Sequence, residues 1–279
     1  MKISKTEIKN KKLNKNTLVE AVRHVRETGF VVFEKTMTKK WTNKMREAWD
    51  GHLENASKGS NPKHQDQNQG LLSMPFLDPL AIENPWGFQV IEEMMGKDFW
   101  GRLPYHCNST PPNWPETQHI HRDQRHLFSE IPISMPPHMM IIHVPLVDFT
   151  EENGSTEVWP GTHLVTDHTE TVEDKDGNWF DIDRQTFEER STKMLSMRTN
   201  MPAGSTLVRD MRIWHRAMPN KTSKRRTMLS LVYHRHFPSL GYQYKSADIL
   251  PSQIMNQLSK KSQHIYRFNK EEFHKNGSY

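Results

Sequence analysis

Two apolar runs, 138–149 (HMMIIHVPLVDF) and 227–237 (TMLSLVYHRHF), constrain the fold most. Each is rich in β-branched or aromatic residues and too short to cross a bilayer, so each reads as a buried strand. Residues 155–159 and 205–209 read as further strands, with Asn153-Gly154 and Pro160-Gly161 as turns. The part before residue 100 has a different texture. Leu18, Ala21, Val22 and Val25 share one helical face, and Gly29 closes that helix. Phe30 to Phe33 is a short buried strand, and Thr38 caps a second helix carrying Trp41, Met45, Ala48 and Trp49. Pro85 and Gly96 bound a third helix over about 84–95. The polar stretch 56–70 reads as a loop.

This order predicts a mainly β fold with flanking helices, in which a helical layer supports a jelly-roll pair of sheets. One domain over 1–279 is expected. It comprises a basic arm (1–16), a helical support layer (17–99), a jelly-roll core (100–240) and a helical tail (241–279). A long charged insertion, 164–198, is expected to form a lid or an extra lobe.

Net charge is +5, and much of the excess lies in Lys2, Lys5, Lys9, Lys11, Lys12 and Lys15, which read as a solvated arm. No basic block interleaves with aromatics, so no nucleic-acid partner is expected. Cys107 is the sole cysteine, which excludes an intrachain disulfide and a Cys-rich zinc site. Neither an apolar leader nor a run of 18 apolar residues is present, so a membrane span is not expected and the cytoplasm is the default location.

Histidine and acidic residues carry the chemistry. A mononuclear Fe(II) oxygenase needs two His and one carboxylate on one face of the metal, with the other positions open. The recurring form is H-x-D on a strand, where residues i and i+2 point to the same side, with a distant second His. Chance alone gives about two H-x-[DE] triplets in a chain of this composition. Four are present: His52/Glu54, His64/Asp66, His121/Asp123 and His168/Glu170. His52/Glu54 falls on a helix, His64/Asp66 in the polar loop and His168/Glu170 in the insertion, which leaves His121/Asp123 in the β-rich half. His215 follows a strand 92 residues after Asp123, and Arg226 comes eleven residues later at the start of the 227–237 strand. A guanidinium there can grip a carboxylate with two bonds.

The segments 121-HRDQ-124, 147-VDFTEENGSTEVWPGTH-163 and 215-HRAMPNKTSKRR-226, with the early helix, 29-GFVVF-33, helix pattern, resemble the phytanoyl-CoA dioxygenase family over roughly 17–240. The resemblance implies a double-stranded β-helix, the cupin-like form of jelly roll, and an Fe(II)/2-oxoglutarate-dependent dioxygenase that uses O₂ and releases succinate and CO₂. By motif match, His121, Asp123 and His215 would hold the iron, and Arg226 would bind the far carboxylate of 2-oxoglutarate. Related halogenases lack the carboxylate that Asp123 supplies, so its presence favours hydroxylation or a related oxidation over halogenation, and a small metabolite is the favoured substrate. Thr162 stands where family members usually show Ser. Arg125, His126, Trp159, His163 and Trp214 flank the motifs and are the candidates for the substrate side. Two other readings stay open on residues alone: an oxygenase of the same chemistry acting on nucleic acid, and a non-catalytic jelly-roll protein that binds a metal or ligand.

Overall fold

A computed structural model describes residues 1–56, 66–69, 71–128, 131–166, 172–173, 179–180, 183–236 and 248–275. In chain order the elements are α1 (Lys5–Asn10), α2 (Lys15–Thr28), β1 (Phe30–Phe33), α3 (Lys39–Ala56), β2 (Asp66–Gln69), α4 (Pro79–Ile82) and α5 (Pro85–Met95). Then come β3 (Phe99–Gly101), β4 (His106–Thr110), β5 (Met139–Pro145), β6 (Glu157–Trp159), β7 (Val172–Glu173), β8 (Trp179–Phe180) and α6 (Arg184–Ser191). The chain continues through β9 (Met197–Arg198), β10 (Thr206–Asp210), β11 (Trp214–Arg216) and β12 (Arg226–Arg235) to α7 (Ser252–Gln257), α8 (Lys260–Ile265) and α9 (Glu272–Lys275).

The major sheet runs β1-β10-β5-β12-β4-β2, all antiparallel, with β3 pairing the far end of β12. The minor sheet is β11-β6-β9. Period-two alternation splits each major strand between two jobs. Cys107, Met140, Ile142, Val144, Val208, Leu229, Leu231 and Tyr233 face one way and pack with Val22 and Val25 of α2, Met45 and Trp49 of α3, and Trp86, Phe88 and Ile91 of α5 in one core. The alternate residues face the minor sheet and line a cavity between the two. A helical layer on one face of a jelly roll is therefore the observed architecture.

The expected helices occur where the capping residues place them. Asn14 caps α2 and Gly29 ends it in the left-handed region, Thr38 Oγ1 accepts from the Trp41 amide at the start of α3, and Asn84 caps α5. Three expectations need correction. The basic arm is not simply solvated: Ser4 and Glu7 form a reciprocal capping box for α1, and the Glu7 carboxylate is buried against the Asn14 amide. The stretch expected to be a loop contributes β2, which pairs with β4, and β1 from the helical layer is itself a strand of the major sheet. The insertion gives up its end to the minor sheet as β9, while α6 presses Phe187 against Trp214 at 4.8 Å between ring centroids. His64, His168 and Glu170 lie outside the described residues. No described helix is long and apolar enough to cross a membrane.

At the far end of β12, His234 is 3% exposed and stacks on Trp100 at 4.2 Å, with no partner for either ring nitrogen among the described residues. Burial pushes its pKa from 6.5 down to about 3. The unfolded chain thus takes up a proton near pH 6.5 that the folded chain refuses. Stability should be greatest above pH 6.5, fall as the pH drops toward 3, and level off below that. His234→Phe, which keeps the stack, should flatten the pH dependence of the urea unfolding free energy between pH 6.5 and 4 by up to about 1.4 kcal/mol per pH unit. An unchanged slope would show that His234 titrates freely in the folded protein.

Candidate metal centre

The register of the major sheet fixes what the cavity floor presents. Leu207, His143, Ser230 and His106 form one rung across β10, β5, β12 and β4. Arg209, Ile141 and Val232 form the next rung one way. In the other direction Met228 sits opposite Asn108, and then Arg226 opposite Thr110. Thr156 and Val158 of the minor-sheet side, with Gln118, His121, Asp123 and His215, close a cavity of about 240 Å³ over this floor.

Backbone pairing brings the three candidate ligands together. The His121 amide donates to the His215 carbonyl and the His215 amide to the His121 carbonyl, both at 3.1 Å, so the two residues form an isolated antiparallel bridge. The Asp123 amide donates to the Met211 carbonyl at 3.1 Å, anchoring the carboxylate to the turn between β10 and β11. That turn is held by a buried ion pair, in which Arg212 Nη2 donates to Asp210 Oδ2 at 2.7 Å and Nε to Oδ1 at 3.0 Å. His121 and Asp123 thus meet at the end of a bridge rather than on a regular strand.

Asp123 Oδ1 lies 3.5 Å from His121 Nε2 and 3.4 Å from His215 Nε2, and one donor atom from each of the three falls within 4.8 Å of the others. A single small cation can bridge such a set. Each ring is oriented by its other nitrogen. His121 Nδ1 is 3.0 Å from the His119 carbonyl and His215 Nδ1 is 3.0 Å from the Ile213 carbonyl. With both Nδ1 atoms protonated and donating, each Nε2 turns a lone pair into the site. Burial, with Arg209 beside it, pushes the His215 pKa down to about 4, so the imidazole is neutral at pH 7. Burial acts to raise the Asp123 carboxyl, but the fixed charge of Arg209 on Oδ2 opposes it, and the group stays below the usual carboxylate range. His215 and Asp123 are therefore preset in the protonation states that a divalent cation needs.

Arg226 is 1% exposed. Nη2 donates to Thr110 Oγ1 and the guanidinium lies over the Phe149 ring at 4.8 Å, but Nε and Nη1 have no partner among the described residues. Burial lowers its pKa to about 10, which leaves it charged at pH 7. A buried cation with two idle donors is costly unless an anion completes it.

The five residues expected on the substrate side do not line the cavity. Trp159 and Trp214 pack with Ile120 and Phe187 behind it, and Trp159 Nε1 donates to the Ser191 carbonyl. His126 Nε2 is 2.9 Å from the Val165 carbonyl, and His163 Nε2 is 3.1 Å from the Arg26 carbonyl. His126 is thus a buried pin between two loops and His163 ties a 3-10 turn to α2, and half-buried Arg125 also stands outside the lining. The hydroxyl of Thr162 accepts from the Trp214 amide and donates to the Trp159 carbonyl, bonds that Ser or Thr supplies equally. Residues the sequence did not single out, Arg209, His143, Ser230, Asn108 and Met211, are the ones that reach the cavity.

Comparison with known proteins places the chain in a family. The family model described as Phytanoyl-CoA dioxygenase (PhyH) matches residues 25–228. The curated protein "Dioxygenase andF" of Emericella variicolor is 24% identical over 275 residues, covering 92% of this chain and 87% of the relative. Among solved structures, the non-heme alpha ketoglutarate dependent carbocyclase SnoK from nogalamycin biosynthesis aligns over 81% of this chain and 85% of its own, at 17% identity and a TM-score of 0.57. The epimerase SnoN, solved in complex with Fe3+, alpha ketoglutarate and nogalamycin RO, aligns over 79% and 84%, at 16% identity and a TM-score of 0.59. The fold is the double-stranded β-helix of non-heme oxygenases. This chain belongs to the phytanoyl-CoA dioxygenase family. It is an Fe(II)/2-oxoglutarate-dependent dioxygenase.

One glycine locks the motif loop to the segment between His215 and Arg226. Gly154 has φ +80°, and a Cβ there would lie 2.7 Å from the Pro219 carbonyl oxygen and closer still to that of Met218. Gly154→Ala meets both a disfavoured backbone conformation and two backbone atoms that cannot step aside. Urea unfolding should show a loss of about 2–4 kcal/mol, and a change below about 0.5 kcal/mol would contradict the close approach.

Proposed function

We propose that His121, Asp123 and His215 hold Fe(II), that Arg226 binds the distal carboxylate of 2-oxoglutarate, and that the enzyme hydroxylates a C–H bond of a small metabolite with a largely hydrocarbon body. The observation that carries this reading is the coexistence of two features along one cavity face. A three-donor cluster opens on the cavity that Met228 also lines, and a buried guanidinium, with Nε and Nη1 unpartnered among the described residues, lies one rung beyond Met228 on the same face of β12. A dicarboxylate that reaches from one to the other satisfies both.

Bound Fe(II) and 2-oxoglutarate supply the activation of O₂, with one oxygen atom leaving in succinate beside CO₂ and the other going to the substrate. The protein's work is placement. His119 and Ile213 carbonyls fix the ligand rings, and the Thr110 hydroxyl and the Phe149 face fix the Arg226 guanidinium. Ile141, Leu207, Met211, Met228 and Val232 put hydrocarbon on the cavity wall, while Arg209, on the rung of Ile141 and Val232, is turned to Asp123. That wall suits a hydrocarbon portion of substrate and keeps water from the reacting carbon. His143, held neutral by burial, and Ser230 are 2.9 Å apart and offer a polar point beside it. The carbocyclase and epimerase among the structural neighbours show other outcomes on the same fold. Asp123 favours hydroxylation or a related oxidation over halogenation, and of these outcomes hydroxylation is the one proposed here.

Succinate release with a panel of small metabolites tests the reading. Hydrocarbon-rich compounds should stimulate it, whereas amino acids and single-stranded DNA should not. Asp123→Ala should bring it to background. Arg226→Ala should raise the KM for 2-oxoglutarate by roughly 30- to 1000-fold, the cost of an unpaired buried carboxylate. Full activity in Asp123→Ala, or an unchanged KM in Arg226→Ala, would contradict the assignments.

A further inference from the structure

Arg209 is a buried cation that the chemistry above does not use. It leaves β10 on the cavity face of the floor, beside Ile141, and is 4% exposed. Its Nη2 donates to Asp123 Oδ2, and its Nη1 lies 3.1 Å from His215 Nδ1. When His215 Nδ1 donates to the Ile213 carbonyl, it has no lone pair left for Nη1, so the carboxylate is the partner that orients the guanidinium.

A carboxylate offers a metal two equivalent oxygens and can chelate with both. Here the two are not equivalent. Oδ1 faces His121 Nε2 and His215 Nε2, while Oδ2 is taken by Arg209. A fixed positive charge beside a cation site disfavours metal affinity, so what Arg209 contributes there is geometry. We propose that Arg209 is a positioning residue of the metal centre: by holding Oδ2 it confines Asp123 to one-oxygen ligation through Oδ1, and so keeps three adjacent coordination positions open for cosubstrate and O₂. This rests on the assignment of His121, Asp123 and His215 as ligands.

The water-proton relaxivity of the Mn(II)-loaded protein, without 2-oxoglutarate, counts the waters in the open positions and needs no turnover. The wild type should show about three waters. Arg209→Met and Arg209→Ala, checked for folding by circular dichroism, should lose about a third of that relaxivity as Asp123 takes a second position. Arg209→Lys should keep the wild-type value, and added guanidinium should restore it in Arg209→Ala. Unchanged or higher relaxivity in Arg209→Met and Arg209→Ala overturns the proposal. Asp123→Ala separates the two levels: if it binds Mn(II) as tightly as the wild type, the ligand assignment itself fails and the role of Arg209 falls with it.

Discussion

The reciprocal backbone bonds between His121 and His215 are what the rest of the site depends on. These residues are far apart in the chain, and neither lies in a long strand. Two 3.1 Å bonds set their separation, and through it the 4.3 Å spacing of their rings. Everything else holds that bridge in place. The Asp210–Arg212 pair stiffens the turn that presents Met211 to Asp123, and Thr162 ties β6 to β11 through the Trp214 amide. Phe187, Trp159 and Trp214 then fill the space behind, so the bridge cannot splay without breaking a packed aromatic cluster.

The barrel interior is unfavourable for folding by itself. It holds Arg226, Arg209, His143 and Ser230 where an ordinary core would hold Leu or Val. Buried ion pairs and lone guanidinium groups give back little or none of the desolvation they cost. The opposite face of the same strands offsets this, because Ile142, Val144, Val208, Leu229 and Leu231 meet α2, α3 and α5 in a continuous apolar core. The helical layer is thus the source of stability that allows a polar cavity on the other side. Under the proposed assignment, a metal and a dicarboxylate bound at these charges would also stabilise the fold.

The parts legible in the sequence are those where hydropathy and chemistry agree. The apolar runs gave β5 and β12, caps gave α2, α3 and α5, and the order His121, Asp123, His215, Arg226 gave the residues the fold does bring to one cavity or its adjoining rung. The strand β4 was not legible because its inward residues, His106, Asn108 and Thr110, are polar and its outward ones, Cys107 and Ser109, are small. Arg209 closes the 205–209 strand in the sequence, where nothing distinguishes an inward-facing arginine from a surface charge, and only the register shows that it faces the cavity. The substrate-side candidates failed for a related reason. Nearness in sequence to a ligand says little, since on strands the adjacent residue faces away, and Trp214 beside His215 does so.

The most direct test is an anaerobic titration of the apo-protein with Fe(II) and then 2-oxoglutarate, followed by visible absorption. A weak charge-transfer band should appear only when both are present, reach saturation at one equivalent of each, and be lost in Arg226→Ala at cosubstrate concentrations that saturate the wild type. Iron bound at one equivalent with no band on adding 2-oxoglutarate would contradict the account, because the three-donor cluster and the buried guanidinium would then not serve one ligand.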